Sequence, residues 1–211
     1  MPVPPTATPQ TSGLQSELTD KVRAVATNFS DEKSLLTIGE ICYWIRDNLE
    51  CVKTKEPIFR HVEELLGTRQ LFGCHDYGLL FAALARAKGF TVNYIQAFDV
   101  ELIRSYQQNP EDIGSTIRGH VFCEVLVNDS WVLIDPRVPC YYKGYKRNNK
   151  YLPGSPGPRG SYLLYRKGLD SWDIGIKDRS DMVRAIRELV ETADLSDYSE
   201  PDYEVVVFQR R

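Results

Sequence analysis

Cys74 stands in Gly73-Cys74-His75-Asp76-Tyr77, directly ahead of an apolar run that ends at Gly89. Within that run Leu79, Leu80, Ala83, Leu84 and Ala87 recur at helical spacing, and Gly89 is a helix stop. The thiol is therefore expected where a loop turns into a helix. There the macrodipole and the free main-chain N–H groups of the first turn favour a thiolate. A thiolate nucleophile needs a base to take its proton, and the base needs a group to orient it. The chain has three histidines. His75 is adjacent to Cys74, and neighbouring side chains on a helix diverge by about 100°, so it is poorly placed as that base. His61 belongs to the preceding helix. His120 starts one expected strand, Gly119–Val127, and Asp135 ends the next, Ser130–Asp135.

Whether His120 and Asp135 can meet is a question of register. If the hairpin closes around Asn128-Asp129, Val127 faces Ser130, Phe122 faces Asp135, and His120 lies diagonal to Asp135 on one face of the sheet. A three-residue loop would move Asp135 to the other face, because side chains alternate along a strand. With the two-residue loop, a buried carboxylate would fix the His120 tautomer and stabilise its imidazolium, which in turn would lower the Cys74 thiol. The main-chain N–H of Cys74 could then donate to an oxyanion, with Gln70 as a second candidate donor. The competing reading of Cys74 is a small hydrophobe packed in a core.

The elements that must position these groups follow from periodicity. Residues 1–13, rich in Pro and Thr, read as a disordered segment ahead of a single domain over 14–211. A helix is expected from Leu14 to Phe29, and a second after Thr37 and Glu40, which have capping-box spacing. In that second helix Cys42 falls on the core face. Pro57 is expected to open a third, stopped at Gly67. The Cys74 helix, apolar nearly all round, belongs in the middle of the domain. Beyond Gly89 the period drops to two. Thr91–Val100 reads as a strand, 101–118 as a polar insertion, then the two strands above, and Pro136 as a stop. Residues 137–168 contain no acid and mix Lys and Arg with six tyrosines, as a loop region; it and 101–118 are expected to flank the cleft. A helix from Asp181 to Thr192, capped by Ser180, and an edge strand Val205–Phe208 complete the chain. Helices first and an antiparallel meander afterwards indicate an α+β fold, with the cysteine helix packed on an antiparallel sheet.

Composition narrows the function classes. The net charge of -3 gives no global attraction to nucleic acid, despite the basic, tyrosine-rich segment. No apolar run is long enough for a membrane span, and the N-terminus does not read as a signal peptide. Five cysteines at irregular spacing, with no CxxC pair, fit reduced thiols in a cytoplasm and offer no zinc set. No metal or cofactor is expected. A metal site on Cys74, His75 and Asp76 is disfavoured because adjacent residues cannot easily converge on one ion.

Three blocks together carry a resemblance. Gly-Cys74-His-Asp-Tyr-Gly-Leu-Leu-Phe-Ala-Ala-Leu-Ala-Arg-Ala-Lys-Gly-Phe, Gly-His120-Val-Phe-Cys-Glu-Val and Trp131-Val-Leu-Ile-Asp135-Pro136 resemble, in order, the signature of the transglutaminase-like superfamily. The likeness spans roughly residues 35–140. It implies a papain-like α+β core, a Cys74-His120-Asp135 triad, and acyl transfer through a thioester on an amide of a peptide or protein. It does not choose among peptidase, deamidase and amine transferase, and nothing in the chain matches the extra β domains or calcium sites of the cross-linking animal members. Tyr77 and Trp131 are the aromatic candidates for substrate contact. A peptide- or partner-binding module that keeps the fold without turnover is the alternative.

Overall fold

The structure, a computed structural model, describes residues 12–53, 59–154 and 160–210 of the chain. The expected disorder over 1–13 and the opening of a helix at Pro57 fall largely or wholly outside them. In chain order the elements are α1 (Asp20–Ala26), α2 (Leu35–Asn48), β1 (Glu50–Cys51), α3 (Val62–Thr68), β2 (Gln70–Leu71), α4 (Cys74–Ala87), β3 (Thr91–Asp99), α5 (Val100–Gln108), a short 3-10 turn (Pro110–Asp112), β4 (Gly119–Val127), β5 (Ser130–Asp135), β6 (Cys140–Lys143), β7 (Tyr151–Leu152), β8 (Tyr162–Gly168), α6 (Arg179–Thr192) and β9 (Glu204–Val207). Seven strands form one antiparallel sheet in the order β7-β8-β3-β4-β5-β6-β9, and β1 pairs with β2 in parallel.

The expected α+β architecture is the observed one. Helix α4 is buried continuously from Asp76 to Arg86, with α1, α2 and α3 on one side and β3 and β4 on the other. Its closest approach to the sheet is at Gly78, whose carbonyl accepts the Cys123 thiol proton at 3.5 Å. Cys123, on the face of β4 opposite His120, is thus a packing residue, as is Cys42 on α2, which is fully buried. On the other face of the sheet, Ile95, Phe122, Leu133, Tyr142, Leu152 and Tyr162 form a separate apolar layer. No helix among the described residues is long and apolar enough to cross a membrane.

Several boundaries differ from the sequence expectation, each for a local reason. The first helix is only Asp20–Ala26, capped by Thr19. Residues ahead of it are held in a turn by the buried Asp170 carboxylate, which accepts from Gln15 N (3.0 Å), Ser16 N (3.1 Å) and Ser16 Oγ (3.1 Å). Thr37 and Glu40 form no capping box. Helix α2 starts at Leu35, Thr37 Oγ1 donates to Glu32 O, and Glu40 accepts from Ser30 N. Helix α3 runs through Gly67 and ends at Arg69, in the left-handed region at φ 55. The expected polar insertion over 101–118 is instead α5. Asp99 caps it through Leu102 N, and it buries Leu102, Ile103 and Tyr106. Residues 137–168 contribute β6, β7 and β8, with Tyr142, Tyr151 and Tyr162 buried. Asp178 rather than Ser180 caps α6, and the last strand is β9 at the sheet edge, as expected.

Candidate active site

The β4–β5 hairpin closes over two residues. Asn128 and Asp129 both adopt left-handed backbone, at φ 47 and φ 60, the pairing that matches strand twist in a two-residue turn. Short polar Asn and Asp tolerate that conformation best after glycine. Val127 therefore faces Ser130, and the ladder continues to Cys123 opposite Ile134. One step further His120 lies diagonal to Asp135. Their side chains meet, with Nε2 of His120 2.8 Å from Oδ2 of Asp135. The second carboxylate oxygen of Asp135 accepts from the main-chain N–H groups of Arg137 (3.0 Å) and Val138 (3.3 Å). The aspartate is thereby locked to the turn that follows β5. Both residues are buried, and the imidazole is sandwiched between Phe122 (4.7 Å) and Tyr162 (5.4 Å, stacked).

Since Asp135 takes Nε2, Nδ1 remains for the thiol. Cys74 hydrogen-bonds His120 and also receives the main-chain N–H of Val121. Burial alone would push the thiol up. The hydrogen bond and charge of His120, the charge of Arg137 and the Val121 N–H outweigh it, and the thiol is held below its ordinary value. Burial pulls His120 down, but the Asp135 carboxylate and the thiol together hold it up at about 9. The two shifts have opposite signs, each group favouring the charged form of the other. Cys74 as a whole residue is partly buried, at the start of α4.

The start of α4 is shaped to present that sulfur. Gly73 precedes it at φ 141 and ψ -168, backbone that side-chain-bearing residues rarely adopt. Asp76, in the first turn, reaches back to Phe72 N (2.8 Å) and binds Arg60 Nη2 (2.8 Å). Arg60 also clamps Gln70 O (2.7 Å) and stacks on the Phe72 ring at 4.0 Å. His75 points the other way, as its position on the helix requires. Gln15 Nε2 donates to its Nε2 (3.2 Å), which leaves the proton on Nδ1 to go to Tyr94 Oη (2.8 Å). The Gln15 amide is oriented by donating to Arg60 O (3.0 Å) and accepting from Ser171 Oγ (2.7 Å). Burial and the Arg60 charge push His75 down to about 3, so it is a neutral structural link. His61 is the N-cap residue of α3 but makes no side-chain cap hydrogen bond, and its ring packs on Trp172 at 4.7 Å.

The remaining candidates are not all brought together. Gln70 stands on β2 with an exposed side chain and its carbonyl held by Arg60. Tyr77 is buried one turn after Cys74, its hydroxyl beside Cys51 and under the charge of Arg137. Trp131 shares the face of Asp135 but sits four residues away, about 13 Å along a strand. There its ring supports Arg147 at 4.1 Å. Arg147, Lys167, Tyr145 and Asn93 all bind the buried Glu124 carboxylate, a structural hub on the same face. Among the described residues no group of three or more His, Cys, Asp or Glu is arranged to hold a metal ion.

The profile of the transglutaminase-like superfamily matches residues 17–136, more than half of the chain. The chain belongs to the transglutaminase-like superfamily. The matched segment contains Cys74, His120 and Asp135 and stops one residue short of Arg137. Among solved structures, a candidate cysteine protease from Cytophaga hutchinsonii is similar, with a TM-score of 0.52 at 17% identity. The superposition covers 78% of this chain and 47% of that one, so the chain spans about half the length of this structural relative, and the likeness is one of fold. A comparison with curated proteins returns no match. Sequence reasoning missed Gln15, Arg60 and Arg137. Only Asp76, an acid in the first turn of the helix, hinted in sequence at the Arg60 clamp.

Proposed function

We propose that this protein is a cysteine-dependent acyl-transfer enzyme acting on an amide of a peptide or protein. The observation that carries this reading is the placement of one imidazole between the Cys74 thiol and the buried Asp135 carboxylate. The Cys74 thiolate attacks the amide carbonyl carbon. The developing oxyanion accepts the main-chain N–H of Cys74, which lies in the first helical turn where no helical acceptor exists. The His120 Nδ1 proton passes to the leaving nitrogen as the C–N bond breaks, and a thioester remains on Cys74. Water or an amine then attacks the thioester, Nδ1 takes its proton, and the thiolate leaves. Asp135 keeps the imidazole in the tautomer and orientation that both steps use. The solved structural relative, itself a candidate cysteine protease, is in keeping with water as the acceptor.

Acyl-enzyme formation tests the reading. Cys74→Ala and His120→Ala are expected to abolish a thioester detectable by intact mass with activated acyl donors. Asp135→Ala is expected to reduce its rate and leave the adduct on Cys74. An adduct that persists in Cys74→Ala overturns the assignment.

A further inference from the structure

Arg137 lies two residues after Asp135, in the turn that follows β5. Its main-chain N–H is bound to Asp135 Oδ1, so the residue is indexed to the same carboxylate that orients His120. Its side chain is exposed, and among the described residues it enters no salt bridge, whereas Arg60, Arg147 and Lys167 each do. Arg60 is occupied by Asp76, and Arg147 and Lys167 by Glu124. The guanidinium charge reaches both the Cys74 sulfur and the Tyr77 hydroxyl. A cation whose main chain is fixed to Asp135, whose charge bears on the Cys74 thiol, and which enters no salt bridge among the described residues, is available to a ligand anion. Its planar fork suits a carboxylate.

Resting on the acyl-transfer reading, we infer that Arg137 is a specificity-determining residue that selects acyl substrates bearing a carboxylate next to the attacked carbonyl. That carboxylate could be an acidic side chain or a peptide C-terminus. The charge on Arg137 would hold it while Cys74 reacts.

Two small alkylating agents of similar size separate this idea from the nucleophile assignment. Iodoacetate carries a carboxylate and iodoacetamide does not. In each, the Cys74 thiolate attacks the methylene carbon, the C–I bond breaks and iodide leaves. The ratio of the two rates at Cys74, read by peptide mass spectrometry, cancels any change in thiolate fraction. Arg137→Gln is expected to lower the iodoacetate-to-iodoacetamide ratio about fivefold, the upper end for an exposed charge pair, and Arg137→Lys to keep most of it. An unchanged ratio in Arg137→Gln, with Cys74 still far more reactive than Cys51, overturns the role of Arg137 and leaves the acyl-transfer reading standing. Slow labelling of Cys74 by both agents would instead count against the nucleophile itself. Protection of Cys74 from iodoacetamide then identifies the source of the carboxylate. An amidated peptide containing glutamate reports a side chain, and a glutamine peptide with a free C-terminus reports the terminus. Protection by neither, or protection equal in wild type and Arg137→Gln, refutes the inference.

Discussion

Gly78→Ala sets two effects of opposite sign against each other. In a helix interior, alanine should stabilise by about 1 kcal/mol over glycine. Gly78, however, is where α4 lies against the sheet. A Cβ there would stand 2.3 Å from Val121 Cγ1 and 3.4 Å from Tyr94 Cε2. Ordinary contact begins near 3.4 Å, so helix and strand must part by about 1 Å. Val121 is 1% exposed and β-branched, so it cannot swing aside cheaply. Overpacking of this kind destabilises by about 1–3 kcal/mol, so the clash is expected to win, with a net loss of up to about 2 kcal/mol. The effect on reactivity is larger. Cys74 lies one turn away on the same helix and receives its hydrogen bond from Val121 N, and a 1 Å misplacement can lower a rate about 100-fold. Urea unfolding and the rate of Cys74 alkylation at pH 7 measure both. Val121→Ala removes the obstructing methyl and is expected to restore alkylation in the double variant. A Gly78→Ala protein that is more stable and labels at the wild-type rate would refute the close-approach argument.

Two further outcomes follow from the buried polar groups. His75 titrates at about 3 when folded and about 6.5 when unfolded. The unfolded chain therefore takes up the proton first as pH falls, and the native state loses stability between pH 6.5 and 3. From pH 6.5 to 5 that amounts to at most about 2 kcal/mol. His75→Gln, which keeps the hydrogen bonds without the titration, is expected to flatten this part of the urea-midpoint profile, and an identical profile would contradict it. Glu124→Gln should destabilise by about 1–3 kcal/mol, because the amide turns donors toward Tyr145 and Lys167. It should also speed tryptic cleavage after Lys146 and Arg147, whereas unchanged cleavage would mean that Glu124 does not hold this loop.

Much of the site was legible because it rests on period and turn chemistry. The apolar run after Cys74 reported a buried helix, and Asn128-Asp129 marked a turn. The diagonal of His120 and Asp135 followed on the condition that this turn closes over two residues, and the observed register meets it. What was missed depends on long-range polar contacts that leave no periodic trace. Asp170 holds residues 15 and 16 out of a helix from 154 residues away or more. Arg60 reaches Asp76 across 16 residues. Helix α5 was hidden because only four of its side chains, Val100, Leu102, Ile103 and Tyr106, are buried, and its cap, Asp99, doubles as the end of β3. Five of the six tyrosines of 137–168 are strand residues, and β8 and β6 take part of their pairing from β3 and β9, far off in sequence.

The central claim is that Cys74 is a thiolate prepared by His120. Time-resolved iodoacetamide labelling of all five cysteines at pH 7 tests it most directly. Burial pushes Cys42 and Cys123 far up and Cys140 to about 12, so these three should stay unlabelled in the folded protein. Cys51 is exposed and serves as the internal reference. Cys74 is expected to label at least tenfold faster than Cys51 per unit of intrinsic thiolate reactivity, and His120→Ala should abolish the difference. Labelling of Cys74 no faster than Cys51, or a fast rate that survives His120→Ala, would contradict the account.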